Sequence, residues 1–260
     1  MKIAVLVRGF HWLEKDRYSF PLDARSLIPS LVEQVLQPLR EQHTVEVFAV
    51  TYPSPVQDEV LALLAPQHLA VLDPKDSSQI TTYLHGLDMI RTAAAAQPFD
   101  RVLVTRFDLV YLRSALAWNV WDRSGIFFPW REYESLWNEH HRVGDAIHLI
   151  DWPALPAFEQ AVKHSEGRPD LHLLYGELEN CGQPRHFIEE GFYDSNTLFA
   201  NRECANPIYR IGNRPRLRIA SPTSSTWLRR LREMLGPRWK MLRGVRSWIL
   251  RLPWFRGSSL

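Results

Sequence analysis

A chain of 260 residues with 45% hydrophobic and 23% charged residues is long enough for one large domain with an appendage, and too apolar for bulk disorder. Its two cysteines, Cys181 and Cys204, lack metal-ligand spacing and are too few for a disulfide scaffold. The net charge of +2 hides an asymmetry: Trp227 to Arg256 carries nine basic residues against the single acid Glu233, which leaves the rest of the chain acidic.

Residues 2–7, Lys2 followed by IAVLV, read as a buried first strand, with Arg8, Gly9 and Phe10 at its carboxyl end. That run is too short for the apolar region of a secretory signal, and no window reaches the roughly 18 apolar residues that span a bilayer, so a cytoplasmic protein is expected. Leu27, Leu31, Val35 and Leu39 repeat at helical spacing through residues 24–40, where Pro29 and Pro38 should limit the helix. A second strand over 44–50 stops before Pro53 and Pro55, a short helix spans 58–64, and a third strand spans 69–72. Ser77 or Ser78 caps a long helix over 77–96. This alternation of strands and helices predicts a parallel sheet with right-handed crossovers.

The next element is the most informative. In FDRVLVTRFDLVYL, residues 99–112, Val102, Leu103 and Val104 form the short apolar run of a central parallel strand, and Thr105, Arg106 and Asp108 then put polar groups where it should stop. Ligands of open α/β sheets sit beyond the carboxyl ends of the strands, so Asp108 falls where chemistry is done. A carboxylate there suits Mg2+ or Mn2+, hard cations that take oxygen ligands and share substrate phosphates. The plainer alternative is an Arg106–Asp108 ion pair that closes the strand.

Beyond Asp108 the pattern loosens. Residues 115–121 form a short element, 125–129 and 143–150 strands, 131–141 an aromatic-rich loop, and 154–164 and 170–180 helices, with Asp151 as a helix cap. Asp145 follows Gly144 in RVGDAIHLID, where a surface turn is the competing reading. Asp194, Ser195 and Asn196 read as turn residues before the last strands. There is no H-E-x-x-H pair, P-loop, G-x-G-x-x-G or nucleophile elbow, so a zinc site, a glycine phosphate cradle and serine-hydrolase chemistry have no support. Residues 221–225 mark a linker. After it, Trp227, Leu231, Leu235, Trp239, Leu242, Ile249 and Leu252 recur at helical intervals among Arg and Lys, an amphipathic basic helix broken at Gly236-Pro237. Such a helix fits an anionic membrane interface, with docking onto the main domain as the alternative; nucleic acid is not expected, because the acidic domain would repel it.

The blocks MKIAVLVRGF, VEVFAVTY, VLVTRFDLVYL, RVGDAIHLID and GFYDSNTLFANRECANPIYRI, in this order over residues 1–212, resemble bacterial surface-polysaccharide glycosyltransferase-like proteins of the GT-A type. The resemblance implies a GT-A-like, Rossmann-like α/β domain over 1–220, with a mostly parallel sheet and flanking helices, followed by the linker and basic tail over 221–260. It implies that Asp108 holds Mn2+ or Mg2+ on the diphosphate of a nucleotide-sugar, and that Arg106, which stands where the first acid of a D-x-D element would be, helps with Arg8 to neutralise the leaving diphosphate. It further implies that Arg8 and Gly9 contact the nucleotide, that Thr51 borders the base or ribose, and that Gln79 lines the pocket from a helix start. Asp145 would be the general base or an acceptor contact, and a late histidine, His172 or His186, would complete the metal shell.

The expected function is transfer of a sugar from a nucleotide-sugar donor to a lipid-linked or cell-surface glycan acceptor, by an enzyme that its tail keeps peripheral to the inner face of the membrane. One rival is a non-catalytic nucleotide- or glycan-binding protein on the same fold, which the arginine in place of an acid keeps open. Another is a nucleotidyltransferase, which shares the sheet and metal logic but wants more acids around Asp108.

Overall fold

Five consecutive apolar residues need cover on both faces. In the computed structural model Ile3, Ala4, Val5, Leu6 and Val7 are fully buried inside strand β1, Lys2–Arg8. The structure describes residues 1–16, 20–76, 78–132, 134, 137–167, 170–193 and 208–212. β1 lies inside a seven-stranded sheet with β2 (Thr44–Thr51), β3 (His68–Val71), β4 (Arg101–Arg106), β5 (Ile126–Phe128), β6 (His148–Asp151) and β7 (Arg185–Phe187). The strand order is β7-β5-β6-β4-β1-β2-β3. Strands β1 to β4 are parallel, β7 is parallel to β5, and β6 alone runs against its neighbours β4 and β5. The described chain is mixed α/β with a mostly parallel sheet, as its alternation of strands and helices predicts.

Alternate residues of β1 serve two cores. Ile3, Val5 and Val7 join Ile28, Leu31, Val35, Leu39, Val60 and Leu64, whereas Ala4 and Leu6 join Ile80, Tyr83, Leu87, Ile90, Phe158 and Val162. Helical segments therefore cover both faces: 28–42 and Gln57–Leu64 on one, Gln79–Ala93 and Leu155–His164 on the other. Gly86 lets the Gln79–Ala93 helix lie close on β1, since a Cβ there would fall 2.4 Å from Leu6 Cδ2. Ser78 starts that helix by accepting a 2.9 Å hydrogen bond from the Thr81 N–H.

Several elements depart from the expectation for physical reasons. Pro38 does not end its helix: Val32–Leu36 forms a π turn in which the Gln37 N–H reaches the Val32 carbonyl, and the chain continues as Gln37–Gln42. The wider turn relieves the clash between a proline ring and the carbonyl four residues before it. The strand expected over 143–150 is paired in the sheet only at His148–Asp151, because the Gly144-Asp145 turn interrupts it. The helix expected over 170–180 is confined to Leu174–Glu177, with the poor helix former Gly176 inside it. Asp151 makes no cap bond; it pairs with Arg101 Nε at 2.9 Å and accepts the Gly125 N–H at 2.8 Å. Two pairings were not foreseen, Leu109–Tyr111 with Tyr209–Ile211 and Trp12–Leu13 with Leu22–Asp23. Asp194, Ser195, Asn196, the linker and the basic tail lie outside the described residues.

Chain order set against sheet order locates the site. From β1 the crossovers lead outward to β2 and β3, and the Gln79–Ala93 helix then carries the chain back past β1 to β4. The order reverses between β1 and β4, and the carboxyl ends of strands at such a reversal open the crevice where α/β sheets bind ligands. Arg8 and Arg106 are register partners across this junction. Because β6 is antiparallel, with His148 opposite Val104, the segment leading into it lies at the same end.

His148 packs against the rings of Tyr83, Phe128 and Phe158, and the Tyr83 hydroxyl meets its Nδ1 at 2.8 Å. Burial, assisted by the nearby Arg8 charge, pushes its pKa from 6.5 down to about 3. Between those two values the unfolded state binds more protons than the folded one, so stability falls as pH drops. His148→Gln should flatten the slope of unfolding free energy against pH in that window by up to about 1.4 kcal/mol per pH unit, read from urea midpoints. Parallel slopes for the two proteins would place the acid sensitivity elsewhere.

Candidate functional site

Strands β1 and β4 both end on arginines, and their surroundings decide what each can do. Arg106 directs Nε to Asp108 Oδ1 at 2.8 Å and Nη2 to Asp108 Oδ2 at 2.5 Å, a bidentate fork. Its Nη1 stands 3.5 Å from Asp145 Oδ1, so one guanidinium fills the space between two carboxylates. The Gly212 N–H steadies the backbone by donating to the Asp108 carbonyl at 2.7 Å. Burial disfavours the charge on Arg106, but Asp108 and Asp145 more than offset this and raise its pKa.

Asp145 reaches the cluster because Gly144 precedes it. A Cβ at residue 144 would lie 2.6 Å from Pro129 Cγ and 3.1 Å from Trp130 Nε1, and the Gly144 N–H donates to the Trp130 carbonyl at 3.1 Å. The buried Asp145 accepts Gln79 Nε2 at 3.4 Å and faces His172 Nε2 at 3.7 Å, both on Oδ2. His172 is itself fixed through Nδ1, 2.7 Å from the Val143 carbonyl and 3.2 Å from Glu132 Oε2. Burial alone would raise the Asp145 carboxyl; the charges of His172, Arg106 and Arg8 reverse that and hold it well below the usual carboxylate range.

Arg8 lies beneath this pair and is only 2% exposed. Its guanidinium stands 4.3 Å from the centre of the Tyr83 ring, a cation–π contact, and Nη1 makes one long bond of 3.4 Å to the Gln79 carbonyl. Among the described residues, its Nε and Nη2 have no hydrogen-bond acceptor. Buried donors left unsatisfied carry a desolvation penalty, which an anionic ligand would relieve.

Five of the expected residues therefore converge: Arg8, Gln79, Arg106, Asp108 and Asp145. Gly9 and Thr51 belong to an adjoining knot at the ends of β1 and β2. There the Thr51 hydroxyl donates to the Gly9 carbonyl at 3.0 Å and meets His11 Nδ1 at 2.5 Å, while His11 Nε2 meets Ser54 Oγ at 2.5 Å. Gly9 turns out of β1 at φ 102°, a conformation that favours glycine. His172 joins the cluster and His186 does not: His186 lies on β7, bonded to Arg123 and to the Ser124 carbonyl. Tyr83, His148 and His11 were missed. For Tyr83 a signal existed, since it lies four residues after Gln79 on the same helix face; for His11 there was none.

The geometry constrains two of the expected roles. Both oxygens of Asp108 are engaged by Arg106, and among the described residues no three acidic, histidine or cysteine side chains form a group able to hold a metal ion. Asp108 would therefore have to release Arg106 before it could ligate the expected Mn2+ or Mg2+, while His172 is directed to Val143, Glu132 and Asp145 and His186 to Arg123 and Ser124, not to Asp108. A general base works best with a pKa near the ambient pH. Asp145 is held below the usual carboxylate range, and its contacts tie it to Arg106 and His172.

The chain is similar to several solved structures at low identity. A glycosyltransferase involved in the glycosylation of the major capsid of PBCV-1 is 12% identical, with 75% of this chain and 82% of that chain covered and a TM-score of 0.41. The nucleoside-diphosphate-sugar pyrophosphorylase from Vibrio cholerae RC9 is 12% identical, with coverage of 74% and 92% and a TM-score of 0.47. A 4-diphosphocytidyl-2C-methyl-D-erythritol synthase is 14% identical, with coverage of 72% and 87% and a TM-score of 0.46. No protein-family model and no curated protein matches the chain.

Removing the Asp145 carboxylate should expose its cost. Asp145→Asn leaves Arg106 and Arg8 short of a countercharge and should destabilise the fold by about 3 kcal/mol at neutral pH, measured by urea unfolding. The folded carboxyl is depressed, so its contribution is complete above the unfolded value of 3.8 and is lost as pH falls toward the folded one. The gap between the two proteins should accordingly narrow only in strong acid. A gap that is already closed at pH 5 would mean that Asp145 is not held as an ion.

Proposed function

We propose that the protein is a transferase acting on a nucleotide-activated sugar, with the donor's diphosphate received by Arg8 and Arg106. The observation that supports this is their direct pairing across the junction of β1 and β4, with two Arg8 nitrogens lacking an acceptor among the described residues. The likeness of the sequence blocks to GT-A-type surface-polysaccharide proteins favours sugar transfer to a lipid-linked or cell-surface glycan over other uses of a diphosphate.

In such a transfer the acceptor hydroxyl oxygen bonds to the anomeric carbon, the bond from that carbon to the diphosphate breaks with its electron pair on the leaving oxygen, and the hydroxyl proton passes to the departing diphosphate or to solvent water. Guanidinium groups fixed beside that oxygen stabilise the charge as it forms, more strongly in a desolvated site than in water. Asp108 and Asp145 keep Arg106 in place, and Gln79 ties Asp145 to Arg8. In this reading Gly9 and Thr51, with His11 behind them, border the base or ribose.

A non-catalytic binding protein is the second reading, and the strongly acidic Asp145 favours it. The two readings separate in one assay. A panel of nucleoside-diphosphate sugars should include a donor that raises Tm, and glycan acceptors should speed release of the nucleoside diphosphate. Arg8→Met should abolish both effects. A Tm rise with no release under any acceptor would favour the binding protein, and a panel without any Tm rise would contradict both.

The basic tail is proposed, on its sequence, to hold the enzyme on an anionic leaflet. No helix among the described residues is long and apolar enough to cross a membrane. Each basic residue near such a surface contributes about 1 kcal/mol, so changing Arg229, Arg230 and Arg232 to Gln in the full chain should weaken binding to phosphatidylglycerol vesicles by roughly two orders of magnitude at low salt. Unchanged vesicle binding would contradict the anchor.

A further inference from the structure

We propose that the Arg106 guanidinium stands in for the divalent cation of this site, so that the donor's diphosphate is bound and neutralised by Arg106 and Arg8 with no metal ion. The inference rests on the transferase reading and concerns how the same site handles its substrate.

Position is the first support. A cation that serves two carboxylates sits between them, and Arg106 does so here, with Asp108 at 2.5 and 2.8 Å and Asp145 at 3.5 Å. For a metal to enter, Asp108 would have to release its fork. That would leave a partly buried guanidinium without its partner and beside a second cation, a costly arrangement in low dielectric.

Charge is the second. Arg8 and Arg106 together carry the two positive charges of one divalent ion, and they face the two negative charges of Asp108 and Asp145. A metal added to this cluster would meet two guanidinium groups, whereas a diphosphate would meet two cations already in place.

Available donors are the third. A guanidinium has five N–H groups, and Arg106 uses Nε and Nη2 on Asp108 and points Nη1 toward Asp145, which leaves one hydrogen on each terminal nitrogen. Arg8 keeps Nε and Nη2 without an acceptor among the described residues. Arg106 and Asp108 are the accessible members, with side chains 20% and 14% exposed, whereas Arg8 and its two unpartnered nitrogens are buried and would be reached only as the ligand settles into the crevice.

The test is calorimetric titration of the full chain with UDP, GDP, CDP, ADP and dTDP, each in EDTA and in Mn2+. At least one should bind in EDTA, with Mn2+ changing its Kd by less than about twofold. Arg106→Gln should weaken that binding by at least about tenfold, and Arg106→Lys, which keeps the charge without the fork, should restore it only in part. Arg106→Asp should lose EDTA-resistant binding and make any remaining binding depend on Mn2+. Binding by the unmodified chain only when Mn2+ is present would overturn the inference and leave the transferase reading standing. Binding of no nucleoside diphosphate in either condition would remove the transferase reading and the inference with it. The EDTA comparison uses the unmodified chain, so it decides the matter even where a variant does not fold.

Discussion

Arg106 lies between Asp108 and Asp145, and the rest of the site is arranged around that one guanidinium. Two carboxylates at the ends of buried strands would repel each other and resist desolvation; a planar, permanently charged group with forked donors meets both needs at once. Lysine offers the charge without the plane. Buried ion pairs of this kind do not add much net stability, because desolvation consumes most of the Coulombic gain, but losing one partner is expensive. The cluster is better understood as a device that fixes orientation. Through Asp145 it reaches Gln79 and His172, and the Gln79 carbonyl in turn holds Arg8.

Topology makes this economy of parts possible. Parallel β1 and β4 deliver two arginines side by side, and the Gln79–Ala93 helix, seated close on β1 at Gly86, brings Gln79 and Tyr83 over Arg8. The reversed direction of β6 matters equally. Were β6 parallel, the segment before it would lie at the opposite end of the sheet, and Asp145 would be far from both arginines. Tyr83 and His148 then close the inner wall: burial raises the tyrosine pKa and lowers that of the histidine, so both are neutral beneath the charged layer.

Much of this was legible in the residues, because parallel strands buried on both faces leave unbroken apolar runs. IAVLV and VLV mark β1 and β4, and the polar residues that follow mark their carboxyl ends, which is how Arg8, Arg106 and Asp108 were found. The plain alternative for R-x-D, an ion pair closing the strand, is what the structure contains. Asp145 stood out through the resemblance alone, since Gly144-Asp145 by itself also reads as a surface turn. What was not legible has physical causes. Alternation says nothing about strand direction, so the turn of β6 was invisible. Pairing of Leu109–Tyr111 with Tyr209–Ile211 depends on contacts about a hundred residues apart. Tyr83 reads as a core aromatic, and only its place one helical turn after Gln79 sets it apart from one. His11 owes its place to a bend after β1 that no periodicity announces, and the π turn that carries the helix past Pro38 leaves no mark in composition.

If Arg106 and Asp108 act as one unit at the head of the site, their effects on unfolding free energy must be coupled in a double-mutant cycle. Arg106→Met, Asp108→Asn and the double variant would be compared with the unmodified chain by urea denaturation at neutral pH. A coupling energy of about 2 kcal/mol or more is predicted, with each single variant nearly as unstable as the double. Additive effects, with coupling near zero, would mean that the two side chains act independently.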